Sequence, residues 1–416
     1  MLLLMIDTVA ESFCPTMSSA FLFFLHRVFL RLNVALLPVE PFLLFSIIHI
    51  MSNSVLLLGG TGFVGGHVLH KLLTDSTSIN SIVIPTSSSA KQSKVQHWID
   101  GLETKIKTDV LVIPREPAEK WYSKCDSLSS EADCVLQLAT SDDLNLTKAV
   151  NKGLIKGKKE GGKKGVLIHA SGVQLIESKP IGEYVETPNY DDSQPESIAS
   201  IPDSAAHRSI DLAIEDEIHA GIICGAIVCP GLVWGLGAGP DKKTSIMVPD
   251  TVKKSLHNGR ATYTGKGTNT WVHVHVDEVS NLIVDLALNR LSKPFVVEKP
   301  AKFTNFYFAS HADLVSFKHI AQVMGRALLE RGKIDSAEPI SVPVPKVDDS
   351  SKGVRVEDDK RSQEDAEVDA RTPLWPCRTN CRCIARRGHQ ELGWKATKAY
   401  DDEAIRQDVD IALNNM

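Results

Sequence analysis

The stretch "SVLLLGGTGFVGGHVLHKLL", residues 54–73, changes from an apolar run to a glycine cluster and then to a helical pattern. Residues 55–58 are continuously apolar, which is typical of a parallel strand buried on both faces. Apolar residues at helical spacing follow from Phe63 onward. Three glycines at three-residue intervals separate the two patterns: Gly59, Gly62 and Gly65. The stretch therefore predicts a strand, a tight turn and a helix.

This glycine turn predicts contact with a diphosphate. A helix N-terminus directs unpaired backbone N–H groups and the positive end of the helix dipole at an anion. A Cβ on the turn would block that approach. Gly59 allows the chain to turn, Gly62 lets the backbone meet the phosphates, and Gly65 lets the helix pack against the strand. The alternative is a glycine-rich turn that binds no ligand.

The glycine spacing is G-x-x-G-x-x-G, and "GGTGFVGG", residues 59–66, resembles the opening of the extended and atypical short-chain dehydrogenase/reductases. This superfamily includes nucleotide-sugar epimerases and related aldehyde and alcohol reductases. The resemblance covers about residues 53–330 and 377–412, and continues in "VHVHVDEV", residues 272–279. It implies an α/β fold with a Rossmann-type doubly wound parallel sheet and a smaller C-terminal substrate lobe, and alternating strands and helices favour the same class.

The resemblance also implies a set of cofactor-binding residues. The turn itself would supply backbone, the small residues that end the fourth strand would line the cofactor, and a proline after the sixth strand would lie beside the nicotinamide. The positions implied are Gly59, Thr61, Gly62, Phe63, Val64, Gly65, Ala139, Thr140, Pro230, Leu232 and Val233.

The end of the predicted second strand, residues 81–85, bears on the choice of cofactor. Dinucleotide folds use this point to recognise the adenosine ribose, with an acidic residue for NAD or a basic one for the 2′-phosphate of NADP. Here "TSSSAK" follows, without a carboxylate and with Lys91 within reach. The sequence predicts NAD or NADP and favours NADP, although a solvated loop lysine explains Lys91 equally well.

Two residues are candidates for catalysis. The resemblance implies that Ser171, at the end of the predicted fifth strand, holds the substrate oxygen, where a hydroxyl can stabilise developing charge. The alternative is a serine that only ends a strand. The family places a tyrosine, followed four positions later by a lysine, on the next helix. Here "SAAHRSIDLAIEDEI", residues 204–218, carries His207 and Asp211 instead.

His207 has an unperturbed pKa near neutrality and is expected to carry the proton, with Asp211 one helical turn away to orient its ring. The alternative is a surface pair on a helix worth a few tenths of a kcal/mol. Tyr184 and Tyr190, in the loop before the helix, are further alternatives as proton donors. This departure puts the reaction in question without affecting the predicted cofactor site.

Composition limits the partners. The chain has 416 residues, a formal net charge of −5 and 43% hydrophobic residues, which gives no support to a nucleic-acid partner. The eight cysteines form no disulfide framework, which favours a reducing compartment. No metal is expected. The alternating His273 and His275 have no third ligand nearby in their motif, and the C-x3-C-x-C group beginning at Cys377 fits the spacing of no standard site.

Residues 1–50 are rich in Leu, Phe and Ile but are interrupted by charges and prolines, so that no uninterrupted apolar run reaches the roughly 20 residues of a spanning helix. We expect an extension outside the fold, and a cytoplasmic protein. The alternatives are an interfacial or membrane anchor, which would be the only route to membrane association, and an import signal.

The remaining boundaries follow from pattern changes along the chain. We expect the NAD(P)-binding domain at residues 51–230 and the substrate lobe, with elements that complete the sheet, at 231–334. Residues 335–371 are polar without an apolar period, which predicts a disordered acidic insertion. Residues 372–416 would complete the lobe.

These features predict an NAD(P)-dependent oxidoreductase that interconverts a carbonyl and an alcohol on a small organic substrate. The missing tyrosine and lysine favour a second hypothesis, a non-catalytic NAD(P)-binding redox sensor. A third is a nucleotide-sugar epimerase or dehydratase, which depends more heavily on the missing tyrosine.

Overall fold

In the computed structural model of the 416-residue chain, the residues described are 53–76, 78–157, 164–179, 181–293, 300–343 and 375–416. All of them belong to one compact unit, Asn53–Met416. The predicted N-terminal extension lies outside the described residues. Within them, no helix combines the length and the apolar character needed to cross a bilayer.

A parallel sheet of seven strands forms the centre, in the order β11-β7-β5-β4-β1-β2-β3. Its strands are β1 (Ser54–Leu58), β2 (Ser81–Thr86), β3 (Lys107–Val112), β4 (Cys134–Gln137), β5 (Val166–Ala170), β7 (Cys224–Pro230) and β11 (Phe306–Ala309). The chain runs from β1 to β2 and β3 on one side and then crosses to β4 on the other. The reversal of strand order therefore lies between β1 and β4, at the position where doubly wound sheets bind their ligands.

Helices cover the sheet, because parallel strands are joined by crossover connections that usually contain a helix. The helices of the described residues, including those that pack beside the smaller sheets, are α1 (Phe63–Asp75), α2 (Ser89–Asp100), α3 (Ala118–Glu131), α4 (Leu144–Lys156), α5 (Pro195–Ala199), α6 (Arg208–His219), α7 (Met247–Asn258), α8 (Val276–Leu291), α9 (Phe317–Glu330), α10 (Arg387–Leu392) and α11 (Asp402–Asn414).

The apolar run of β1 is buried on both faces of the sheet. Leu56 and Leu58 belong to one hydrophobic cluster, and Val55 and Leu57 belong to the other. All four side chains are at most 1% exposed. Successive side chains of a strand point to opposite faces, so a continuous apolar run is what a strand covered by helices on both sides requires. The doubly wound sheet predicted from the sequence is confirmed.

The second half of the chain adds smaller sheets beside the carboxyl edge of the central one. Strands β12 (Leu314–Ser316), β10 (Thr270–His275) and β8 (Leu232–Trp234) form one of them. Strand β9 (Thr262–Thr264) pairs with β13 (Ile340–Val342), and β6 (Tyr190–Asp191) pairs with β14 (Cys383–Ile384). Because β11 pairs with β7, the second half also completes the central sheet.

The C-terminal segment is held to the rest by buried hydrogen bonds. The carboxylate of Asp192 accepts the N–H groups of Phe308, Arg386 and Arg387, each at 2.8 Å. The indole of Trp394, in the "LGW" element, donates to the carbonyl of Glu278 at 2.8 Å. Residues 375–416 are therefore an integral part of the fold.

Two elements differ from the sequence expectation. Strand β13 is ordered although it lies inside the segment predicted to be a disordered insertion. The strand forms because it pairs with β9 and buries the side chain of Val342. The rest of that segment, from residue 344 on, lies outside the described residues. Helix α6 begins at Arg208 rather than near Ser204, because His207 adopts a left-handed backbone conformation with φ of 64°.

Candidate functional site

The turn between β1 and α1 leaves no space for a side chain at Gly59 or Gly65. Gly59 has φ of +98°, and a Cβ there would stand 2.6 Å from the carbonyl oxygen of Leu138 at the end of β4. A Cβ on Gly65 would overlap the carbonyl oxygen of Gly59, and one on Gly62 would stand 3.1 Å from the same oxygen. The turn is therefore bare main chain wedged between the ends of β1 and β4.

The first turn of α1 keeps its backbone donors available. Gly62 is the N-cap residue, no side chain caps the helix, and its first turn contains no acidic residue. The N–H of Gly62 is used within the turn, where it donates to the Gly59 carbonyl at 2.8 Å. The first N–H groups of a helix have no partner within the helix, so those of Phe63 and Val64 remain for an anion. The residues of this turn fit a diphosphate.

A second glycine-rich segment, residues 235–240, packs against the same helix. A Cβ on Gly66 would stand 3.1 Å from the Cα of Gly239, so the two backbones are in direct contact. The N–H of Ala238 donates to Nδ1 of His67 at 3.1 Å, and the N–H of Lys242 donates to the Thr61 carbonyl at 3.3 Å. The sequence analysis did not predict this contact between α1 and residues 235–240. Its only signal in the sequence is the alternation of glycines in that segment.

The other predicted cofactor positions lie at or beyond the carboxyl ends of β4 and β7. Ala139 and Thr140 come directly after β4, and the Thr140 hydroxyl accepts the N–H of Asp142 at 3.1 Å. Pro230 ends β7. Leu232 and Val233 have left the central sheet and lie in β8, opposite His273 and Val274 of β10.

Lys91 lies in the first turn of α2, directly after β2. Ser88 caps this helix, with its hydroxyl accepting the N–H of Lys91 at 3.4 Å, and the first turn contains no acidic residue. The end of β2 therefore presents hydroxyl groups, a helix N-terminus and a cation.

At the end of β5, Ser171 is 8% exposed and its N–H pairs with the Val228 carbonyl of β7 at 2.8 Å. Its hydroxyl donates to Oδ2 of Asp211 at 3.0 Å. The Asp211 side chain is fully buried, and its Oδ1 has no hydrogen-bond partner. Burial raises the pKa of Asp211 to about 7, against a smaller lowering by the Ser171 hydrogen bond. The carboxyl group thus changes charge near neutral pH.

His207 lies beside this pair, but its partner is Asp142 in the loop after β4. Nδ1 of His207 is 2.7 Å from Oδ1 of Asp142. A Cβ on Gly172, next to Ser171, would stand 3.4 Å from Nε2 of His207. Because Gly172 has no side chain, none separates Nε2 from the backbone at the end of β5. The structure therefore brings Ser171, Asp211, Asp142 and His207 together at the carboxyl ends of β4 and β5.

The prediction that Asp211 orients His207 is wrong. His207 precedes the first helical residue, and its left-handed backbone turns its ring toward Asp142. Asp211 lies inside α6, and its carboxylate accepts the hydrogen bond of the Ser171 hydroxyl. The sequence analysis did not predict the His207–Asp142 pair. Asp143 caps α4 by accepting the Leu146 N–H at 2.9 Å. Because a helix needs only one N-cap residue, the adjacent acidic residue Asp142 was the available signal of another role.

The neighbouring groups lie apart from this cluster or are uncharged. His169 on β5 is fully buried and burial lowers its pKa to about 3, so it is neutral. Arg208 is buried beneath the rings of Phe303 and Phe306, 5.0 and 5.9 Å from their centroids. Tyr184, an alternative proton donor in the sequence analysis, accepts a hydrogen bond from Arg382 at 2.8 Å.

The residues weighed as metal ligands have other surroundings. His273 stacks on Tyr400 with ring centroids 4.6 Å apart, and His275 caps α8 by accepting the Asp277 N–H at 3.2 Å. The thiol of Cys381 donates to the Val173 carbonyl at 3.0 Å. In the described ranges, no three His, Cys, Asp or Glu side chains are grouped as a metal site would require.

Comparison of the sequence with known proteins gives one distant relative. No family model matches the chain. The oxidase ucsJ of Acremonium sp is 24% identical over 248 residues, which are 57% of this chain and 66% of that protein. The match thus spans just under two thirds of the relative's length.

Comparison of the structure gives many similar folds. The dTDP-glucose 4,6-dehydratase of Bacillus anthracis, solved with NAD, has a TM-score of 0.54 at 13% identity and covers 87% of this chain and 97% of its own. The UDP-glucuronic acid 4-epimerase of Bacillus cereus, solved with UDP-glucuronic acid and NAD, has a TM-score of 0.54 at 14% identity, with 87% and 100% covered. The fold is that of the extended short-chain dehydrogenase/reductases.

The extended-reductase fold includes the second lobe as well as the central sheet. The UDP-glucose 4-epimerase of Thermotoga maritima, solved with UDP-glucose, aligns at a TM-score of 0.52 and 14% identity over 87% of this chain and 99% of its own. The shared architecture therefore extends over nearly the whole length of these enzymes. At this identity the likeness establishes fold alone.

Proposed function

We propose that this chain is an NAD(P)-dependent oxidoreductase that interconverts a carbonyl and an alcohol on a small organic molecule. The observation that carries the proposal is the bare turn at Gly59, where a Cβ would meet the Leu138 carbonyl at 2.6 Å beside a helix without a side-chain cap. A dinucleotide diphosphate is the anion that this arrangement suits in a doubly wound sheet. Ala139, Thr140 and Pro230 would continue the cofactor cleft along the same edge.

The side chains at the end of β5 supply the rest of the chemistry. When bound, the nicotinamide gives a hydride to the carbonyl carbon or removes one from the alcohol. His207 gives a proton from Nε2 to the oxygen during reduction and takes it back during oxidation. One hydride and one proton added to a carbonyl give the alcohol, so the reaction balances with no other reactant.

Ser171 would orient the substrate oxygen, and Asp211 determines how. An ionised Asp211 keeps the Ser171 hydrogen for itself. A protonated Asp211 can donate to the Ser171 oxygen, and the serine hydrogen is then free for the substrate oxygen. Because the pKa of Asp211 is about 7, Ser171 would act as a donor to the substrate mainly below neutral pH. The carbonyl is thereby polarised in the conditions that favour reduction.

The cofactor proposed is NADP in preference to NAD. Lys91 and the hydroxyl-rich start of α2 would bind the 2′-phosphate, and neither the end of β2 nor the first turn of α2 contains a carboxylate for a ribose diol. The named relative is an oxidase, which agrees with redox chemistry. The cysteines of the described residues are all free thiols, which fits the cytoplasm as the site of the reaction.

A nucleotide-sugar epimerase or dehydratase is the second candidate. The observation that favours it is the alignment of 97 to 100% of the two Bacillus enzymes' chains with this one, lobe included. Such chemistry shares a step with the main proposal in its oxidation direction, since both then remove hydride from an alcohol carbon. The difference lies in whether the substrate lobe holds a nucleoside diphosphate.

Titration of the purified chain with NADPH and NADH, followed by nicotinamide fluorescence, tests cofactor binding. We expect saturable binding of both, tighter for NADPH, and no response to either would refute the proposal. Oxidation of NADPH with a panel of aldehydes and ketones tests catalysis. Binding of UDP- or dTDP-hexoses would support the second candidate, and cofactor binding with no turnover on either panel would indicate a redox sensor.

A further inference from the structure

The carboxylate of Asp142 binds one ring nitrogen of His207, a contact that the sequence analysis did not predict. The His207 side chain is only 9% exposed, whereas that of Asp142 is 70% exposed. The imidazole is thus enclosed while its partner stays in contact with water, which keeps a carboxylate ionised. An ionised carboxylate can only accept, so Nδ1 carries the hydrogen of the 2.7 Å contact.

The backbone fixes the ring in this position. His207 has φ of 64°, an uncommon conformation for a residue other than glycine. Its carbonyl accepts the N–H groups of Ile210 at 3.0 Å and Asp211 at 3.1 Å, so it forms the first bonds of α6. A strained residue persists where its surroundings determine it, and such residues cluster at functional sites.

The opposite ring nitrogen faces the end of β5. Among the described residues Nε2 has no protein partner, and in front of it lies Gly172, whose missing Cβ would stand 3.4 Å away. With Nδ1 committed to Asp142, any proton that the ring exchanges with a substrate passes through Nε2. The ring is therefore bound at one nitrogen and open at the other, as a general acid requires.

From this geometry we propose that Asp142 is a positioning residue that keeps His207 in its protonated, donating form. The inference deepens the proposed function and rests on it. The tyrosine of related enzymes needs a nearby lysine because it must lose a proton easily, whereas a histidine that gives a proton needs a nearby negative charge. This chain thereby exchanges a cation for an anion at the proton donor and is arranged for reduction of a carbonyl at neutral pH.

The charges around His207 act in the same direction. Burial alone lowers the pKa of His207, but the hydrogen bond and charge of Asp142 more than offset it, and the pKa is raised above its ordinary value. Asp211 on α6 and Glu177 after the 3-10 turn Val173–Ile176 add smaller raising contributions. His169 on β5 is neutral at physiological pH and opposes them little.

The test is the titration of His207 in Asp142→Asn, which keeps the shape of the side chain and removes its charge. The imidazole is followed by NMR of histidine-labelled protein and assigned by loss of its signal in His207→Asn. We expect the pKa of His207 to fall by about one pH unit, the size of shift that one adjacent charge produces. The control is Asp143→Asn, because asparagine also caps α4, and we expect no shift there.

The rate of NADPH-dependent reduction against pH gives a second readout. In wild type the rate should fall as pH rises through the His207 pKa, and Asp142→Asn should move that midpoint downward by the NMR shift. An unchanged His207 titration overturns the inference whether or not a cofactor binds. A shifted titration with an unmoved rate profile also overturns it. Failure of every variant to bind NADPH refutes the proposed function, and the NMR result still decides the charge of His207.

Discussion

The glycine turn at residues 58–66 and the cluster of Ser171, Asp211, Asp142 and His207 lie at the same edge of the sheet but are built in opposite ways. The turn is formed by one continuous stretch, residues 58–66. Its distinguishing features are available backbone N–H groups and glycines that have no side chain. The cluster uses side chains from four separate places, which are Asp142 after β4, Ser171 after β5, His207 before α6 and Asp211 within α6.

This difference explains which part keeps the family pattern. Backbone geometry depends on glycine at fixed positions, since Gly59 has φ of +98° and its neighbours leave no space for a Cβ. A proton can be carried by any side chain with a suitable pKa and position. The glycine turn therefore resembles the extended reductases closely, while the residues that would move the proton do not.

The largest expected effect is in the turn. Gly59→Ala forces a Cβ against the Leu138 main chain at a positive φ, and we expect a loss on the order of 3 kcal/mol or more of unfolding free energy. Urea denaturation measures it. Gly101→Ala is the control, because the nearest atom to its Cβ is 3.5 Å away. Equal stability of the two variants would contradict the wedged turn.

His207→Asn tests the cluster next. Asparagine tolerates the left-handed conformation, so stability should change little, whereas reduction should slow by roughly two to four orders of magnitude. The affinity for NADPH should stay close to that of wild type. His219→Asn, at the other end of α6, is the matched control. Unchanged turnover in His207→Asn would remove the residue from the mechanism.

The substitution Asp211→Asn should remove a pH dependence of stability that Asp211 causes in the wild-type chain. Between pH 4 and 7 the unfolded chain has lost the proton of Asp211 while the folded chain keeps it, since the pKa rises from 3.8 to about 7. The folded state binds more protons there, so this residue makes stability fall as pH rises, by up to about 1.4 kcal/mol per pH unit. Asp211→Asn should gain stability relative to wild type over that range and no further above it.

Denaturant unfolding at pH 5 and pH 8 measures this gain. Asp216→Asn provides the comparison, since that carboxylate is exposed and paired with Lys302 at 3.0 Å. It should show no such dependence. A constant difference between Asp211→Asn and wild type at both pH values would mean that Asp211 is ionised throughout.

The effect of Gly62→Ala separates binding from folding. Its Cβ would touch only the Gly59 carbonyl oxygen at 3.1 Å, so the chain should fold. The added methyl would lie where the diphosphate approaches the backbone, and the affinity for NADPH should fall about tenfold, or about 1.4 kcal/mol. Nicotinamide fluorescence measures it. Wild-type affinity in this variant would place the diphosphate elsewhere.

The last prediction, for an effect of the same size, concerns cofactor choice. Lys91→Ala should weaken NADPH binding about tenfold and leave NADH binding unchanged, because only the 2′-phosphate loses a charged partner. Lys105→Ala is the control, since Lys105 lies before β3 at the amino edge of the sheet. Equal weakening of both cofactors would contradict the preference for NADP.

The sequence predicted the strand, turn and helix of residues 54–73 and the doubly wound sheet, because these depend on local spacing. Burial of Leu56 and Leu58 on one face and Val55 and Leu57 on the other agrees with the apolar run. The helix start was misplaced, since nothing in "SAAHRS" signals a left-handed residue at His207. Strand β13 was missed because its pairing with β9 joins segments far apart in the chain.

By itself the sequence determined where the chain turns, because glycine at residue 59 permits the positive φ of +98° that the turn requires, and backbone freedom is a property of the residue itself. Only the tertiary structure decided that His207 pairs with Asp142, 65 positions away, and that Asp211 serves Ser171 instead. Hydrogen bonds and electric fields act through space, so the charge of a side chain depends on neighbours that the order of residues does not reveal.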